Sequence, residues 1–104
     1  MSLYVVRREA GLVWAAGGIF QQPGVNEHAA FMNGLADDGF LLFAGPLAGS
    51  ENGRVRALLI VDAENEAEIR RRLADDPWVP TEQILTTSVE PWKILAGAER
   101  PPNS

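Results

Sequence analysis

Residues Asn26 to Pro46 read NEHAAFMNGLADDGFLLFAGP, and the fold follows from how this stretch parses. Asn26 is a favourable N-cap, and Glu27 puts a negative charge in the first turn, where the helix dipole favours one. At about 100° per residue, Phe31, Met32 and Leu35 fall on one helical stripe. His28, the only histidine in the chain, lies in the middle of that stripe and so points inward. The helix should stop near Asp38, because Gly39 supplies the left-handed position that ends a helix. Phe40 to Ala44 then makes an apolar strand that closes on Gly45-Pro46.

On the N-terminal side, Leu3 to Arg8 is a short β-branched and aromatic run, a strand signal. Gly11 to Gly24 carries four glycines and a proline and reads as a long loop, with Leu12-Val13-Trp14 as a candidate short strand. A loop of that length in a small domain is usually functional or packed on something. On the C-terminal side, Asn52-Gly53 marks a turn before a strand over Arg54 to Val61. A second helix runs from Glu64 to Ala74, with Ile69 and Leu73 inward and Arg70 to Arg72 largely solvated. Pro77 biases Asp76 away from helical geometry and ends it. Gln83 to Val89 is the last long strand, and Lys93 to Leu95 a short extended piece.

The order is β-α-β-β-α-β, the split arrangement of ferredoxin-like α+β folds: a four-stranded antiparallel sheet with two helices on one face. One domain should span residues 1–97, with 98–104 as a polar, proline-rich, disordered tail. Had the other face of the sheet met water, its strands would alternate apolar and polar residues. FLLFA and ALLIV are apolar throughout, so that face expects a cover, and a second copy of the chain supplies one in a homodimer.

The 104 residues carry a formal charge of −5 and 46% hydrophobic residues, an ordinary globular balance. The negative surface argues against nucleic-acid and anionic-membrane partners. Leu12 to Phe20 is too short to cross a bilayer, and Arg7, Arg8 and Glu9 break up any signal-peptide core. A cytoplasmic location is the simplest expectation. The absence of cysteine excludes disulfides and thiolate chemistry, and one histidine makes a zinc site improbable. No Walker A or dinucleotide glycine pattern occurs, so no cofactor or metal is expected.

The topology brings polar groups together. With strand one running upward, the start of helix one and the end of helix two lie at the same end, as do the Gly11–Gly24 loop and the Pro46–Gly53 hairpin. Asp76 is three residues beyond Leu73 and seven beyond Ile69, so it follows the inner face of its helix. A histidine and an inward carboxylate at one end suit general acid–base work, the carboxylate orienting the imidazole. Structural readings stand beside this: a lone histidine on an apolar stripe is more often a core residue than a catalyst, and Asp76 before Pro77 also suits an Asx turn. Trp78 and Trp92 read first as core or interface anchors, and Gly45-Pro46 as a turn.

Several motifs together resemble the YCII-related domain family. They are the histidine early in helix one, Gly39-Phe40-Leu41-Leu42-Phe43-Ala44-Gly45-Pro46, Ala74-Asp75-Asp76-Pro77-Trp78, and the closing Val89-Glu90-Pro91-Trp92. The resemblance covers residues 3 to 95 and implies a ferredoxin-like fold that dimerises into an α+β barrel. It implies a His–Asp site, which maps onto His28 and Asp76, with Trp14, Phe20, Gly45, Pro46 and Trp78 around a substrate pocket. It also implies cofactor-independent lyase or isomerase chemistry on a small cyclic or phenolic compound. A dehydrochlorinase of chlorinated-aromatic breakdown is one relative, and the wider superfamily includes muconolactone isomerases. The Gly11–Gly24 segment is longer than the family's usual first connection. The alternatives are a non-catalytic dimeric metabolite-binding or interaction module, and a purely structural histidine in the dimer core.

Overall fold

A computed structural model describes residues 2–97. The elements follow in the order β1 (Leu3–Ala10), α1 (Val25–Asp37), β2 (Leu41–Pro46), β3 (Arg56–Asp62), α2 (Glu66–Leu73) and β4 (Ile84–Pro91), with a 3-10 turn at Ile19–Gln21 before α1. The strands form one antiparallel sheet in the order β2-β3-β1-β4. This is the ferredoxin-like α+β arrangement expected from the sequence, with strand and helix ends displaced by one or two residues. The tail at 98–104 lies outside the described residues.

The helix-side face carries the core. Val6 of β1 and Leu59 and Val61 of β3 pack with Leu35 of α1 and with Ile69 and Leu73 of α2. A second cluster gathers Ala10, Trp14, Val55, Trp78 and Ile84 at the end of the sheet where α1 begins. Strand phase decides which side each residue takes: Tyr4, Val6, Arg8 and Ala10 alternate onto the helix side. A register shift between β1 and β4 falls between Arg7 and Arg8, a β-bulge of the kind that re-aims a side chain. On the opposite face, Phe43 of β2 pairs with Ile60, and Leu58 with Arg7. Phe43 is 73% exposed there.

Two local expectations need correction. Leu12-Val13-Trp14 is not a strand. Gly11 and Val13 each donate one backbone bond to the Glu82–Gln83 segment, but Leu12 and Val13 project into solvent and no ladder forms. Past β4, the Trp92 N–H donating to the Leu3 carbonyl, 2.8 Å, closes the sheet, and Lys93 to Leu95 leaves it unpaired. The cap of α1 is Gly24 rather than Asn26: with φ at 77° it adopts the left-handed conformation glycine tolerates, and no side chain caps this end. Gly39 does take the positive φ expected after the helix. Asn65 caps α2 by accepting the Glu68 N–H at 2.9 Å.

The Gly11–Gly24 segment is a packed loop. Gln22, buried within it, bonds both the N–H and the carbonyl of Ala15 and also the Gly18 carbonyl. The Trp14 indole donates to the Gly53 carbonyl at 3.1 Å and pins the loop to the β2–β3 hairpin. At Gly11 a Cβ atom would run into the Glu82 carbonyl. Gly11→Ala should therefore lower unfolding free energy by about 1–3 kcal/mol, read as an earlier urea midpoint; an unchanged midpoint would show that the Glu82 turn yields freely.

Candidate functional site

The site forms where β1, the first turn of α1 and the turn after α2 meet. Asp76 stands three residues past the end of α2, fully buried. Its Oδ1 accepts the Trp78 N–H at 2.9 Å, the Asx turn that Pro77 favours. Its Oδ2 receives Nη1 of Arg8 at 3.0 Å. Nδ1 of His28 lies 3.0 Å from Oδ1 and 2.9 Å from Oδ2. Helix-ending turn and polar cluster are thus the same feature, and the two readings of Asp76 do not compete.

The imidazole is held on its flat side as well. The Trp78 indole stacks on the His28 ring with centroids 3.9 Å apart and planes 7° from parallel. Trp14 meets Trp78 edge-on at 5.6 Å. The Pro23 carbonyl accepts from the Trp78 indole at 2.9 Å and from Gln83 at 2.8 Å, tying the entrance of α1 to both. His28 keeps 11% of its side chain exposed, whereas Asp76 keeps none.

The charges follow from these contacts. Burial pushes the Asp76 carboxyl up, but the bond from His28, the Trp78 N–H and the Arg8 charge outweigh it and hold it below the usual carboxylate range. Burial pulls the Arg8 guanidinium down, and Asp76 offsets part of that; arginine stays cationic at neutral pH. With Asp76 ionised, it accepts from Nδ1–H of a neutral His28, and Nε2 is the nitrogen left to exchange a proton with a ligand.

The structure brings His28, Asp76, Trp78 and Trp14 into one cluster. Phe20 lies on the 3-10 turn, 80% exposed. Gly45 and Pro46 end edge strand β2, paired with Leu58 and Ala57. Pro46 shares a cross-strand row with Arg8 through Ala57, two strands and so about 10 Å away. Arg8 is the member that a motif reading passes over, because Arg7-Arg8-Glu9 looks like a solvated charged run. The signal was its phase: two residues beyond Val6 and two before Ala10, it shares their face.

Among the described residues, no group of three or more His, Cys, Asp or Glu side chains gathers as a metal ligand set, and no helix is long and apolar enough to cross a membrane.

The YCII-related domain model matches residues 20–93, which include both His28 and Asp76. The chain belongs to the YCII-related domain family. Among solved structures it is similar to 5-chloro-2-hydroxyhydroquinone dehydrochlorinase (TftG) from Burkholderia phenoliruptrix AC1100, in complex with 2,5-dihydroxybenzoquinone. That match has a TM-score of 0.61 and 21% identity over 88% of this chain and 93% of the other. At that identity the likeness is one of fold. No curated protein matches the chain.

Because the folded-state pKa of Asp76 lies below its unfolded value of about 3.9, its contribution to stability is complete above about pH 4 and is lost as pH falls through the folded value. Asp76→Asn should flatten the acid limb of a Tm-against-pH curve. At neutral pH it should cost about 3–5 kcal/mol, because it leaves Arg8 buried and unpaired. An acid limb equally steep in the variant would mean that other carboxylates carry it.

Proposed function

We propose that this chain is a cofactor-independent enzyme of the lyase or isomerase type, acting by acid–base chemistry on a small cyclic or phenolic compound. The observation that carries the reading is the buried Asp76 carboxylate on His28 Nδ1, with the ring backed by Trp78. A histidine oriented in this way is equipped to take a proton at Nε2, with Asp76 stabilising the imidazolium formed. In a lyase the electron pair released forms the new double bond as the leaving group departs with the pair of its own bond, and solvent then removes the proton from the imidazolium ring. In an isomerase the imidazolium returns the proton at another atom of the substrate. Trp78, itself buried, backs the His28 ring with Trp14 edge-on behind it, and Phe20, Gly45 and Pro46 are proposed to line the approach. The TftG likeness supports a hydroxylated aromatic or quinoid ring as the first substrate class to try.

The reading includes a homodimer built through the open face of the sheet. Phe43 and Leu85 are exposed there, and Val5, Leu58 and Ile60 are only half covered. Strands β2 and β3 are apolar on both faces, and an apolar patch of this kind marks an association surface. The occupant proposed is a second copy, sheet against sheet. Phe43→Glu should convert a dimer into a monomer in sedimentation velocity; a wild-type chain that sediments as a monomer across the micromolar range would sink this part.

The chemistry is tested with a panel of chlorinated and hydroxylated hydroquinones and small unsaturated lactones, followed by ultraviolet absorbance and chloride release. His28→Ala should lower turnover by about 100- to 10,000-fold while fold and assembly persist. Compounds that bind wild type and His28→Ala equally well, with no turnover by either, would favour a metabolite-binding module instead.

A further inference from the structure

Arg8 is the buried charge in the cluster to which the chemistry above gives no task. Its side chain is 1% exposed. Nη1 faces Asp76 at 3.0 Å and Met32 Sδ at 3.9 Å, while Nε and Nη2 have no partner among the described residues. An arginine buried for packing would be expected to spend its donors on carbonyl groups, as buried polar groups generally do. This one is buried with the Nε–Nη2 edge unspent, and its ion pair goes to the carboxylate that holds the histidine. Opposite Arg8, β4 bulges at Thr87, the residue left unpaired between the Arg7–Ser88 and Arg8–Thr86 pairs.

We infer that Arg8 is a positioning residue of this site: by keeping Asp76 ionised it holds the proton of neutral His28 on Nδ1 and leaves Nε2 bare to accept a proton from a ligand. This rests on the acid–base reading of the same site. The argument runs through the carboxylate. Each Asp76 oxygen already faces a fixed donor, the Trp78 N–H at Oδ1 and Arg8 at Oδ2. A protonated Asp76 would have to turn its O–H toward Nδ1 of His28, which would move the ring proton to Nε2 and leave no base at the open nitrogen. Burial favours that neutral carboxyl, and the guanidinium opposes it. The protonated arrangement holds one proton more than the ionised one, so Arg8, acting with the Trp78 N–H, lowers the pH at which the pair takes that proton up. The other charged groups next to the pair, Glu27 in the first turn of α1 and Asp75 beside Asp76, are exposed and screened by water.

The full-length chain has a single histidine, so nitrogen-15 NMR of uniformly labelled protein reads both ring nitrogens without ambiguity. In alkaline buffer the wild type should show a protonated Nδ1 and a bare Nε2. In Arg8→Met the pair should take up its next proton at higher pH, by about one unit or more, so that Nε2 is protonated at a pH where the wild type still shows it bare. Arg8→Gln drops the charge but keeps an amide donor, and should behave in the same way if the methionine variant does not fold. Arg8→Lys, which restores the charge, should restore much of the wild-type pattern. A wild-type proton on Nε2 overturns the inference. So does a folded Arg8→Met or Arg8→Gln whose ring signals and titration match wild type, since a packing role would move stability alone. These readouts need no substrate, so a failure to find turnover would weigh against the enzyme reading and leave the role of Arg8 separately decided.

Discussion

The Asp76 carboxylate is the contact on which the rest of the site depends. It touches three separately determined parts of the fold: Arg8 from strand β1, His28 from the first turn of α1, and the Trp78 N–H from the turn after α2. Burying a lone carboxylate is prohibitive, so the three partners are a condition of its being there. Converging donors also fix where those elements stop and start. The Asx turn ends the α2 segment, and the Pro23 carbonyl, bonded to Trp78 and Gln83, sets where α1 begins.

Such a buried charge cluster is weak as a source of stability. Replacing an ion pair of this kind with apolar side chains of similar volume is often neutral or stabilising. The apolar residues that hold the sheet to the helices, Val6, Leu59, Val61, Ile69 and Leu73, form a cluster of their own. The two tryptophans belong to the second cluster, with Ala10, Val55 and Ile84. Two cores at two ends give the molecule a division of labour. One is apolar and close-packed; the other joins the two tryptophans to the Arg8–Asp76–His28 group, where the imidazole remains partly open to solvent.

Most of the fold was legible because its signals are periodic. His28, Phe31, Met32 and Leu35 share a stripe in the sequence, and all four turn inward or partly inward in the structure. Gly39 reads as a stop and takes the positive φ that a stop requires. Ile69, Leu73 and Asp76 continue one inner face, and that face is buried. What was not legible depended on tertiary contact. Gly24 caps α1 in preference to Asn26, where the Trp78 indole lies 3.5 Å from the position a Cβ would occupy. Local preference favours asparagine; the clamp at Pro23 fixes the start two residues earlier. Arg8 was hidden by its neighbours, since Arg7 and Glu9 are exposed and a charged triplet looks solvated as a unit. Alternation in β1 separates it from them, but only once the strand is known to continue to Ala10.

The loop from Gly11 to Gly24 bears on how a ligand would reach the histidine. Length alone suggests a lid, and lids belong to the least stable parts of a protein, with few buried contacts and solvated backbone. This loop has the opposite character. Gln22 is buried and bonds Ala15 on both sides of its amide plane, Trp14 is anchored to Gly53, and Gly18 sits so close to Glu51 that a Cβ would not fit. Opening it would expose the Gln22 amide and the Trp14 indole together and strip the second cluster of one of its two aromatic rings. The entrance to His28 is therefore set by fixed walls. A ligand for the proposed site would meet walls already in place.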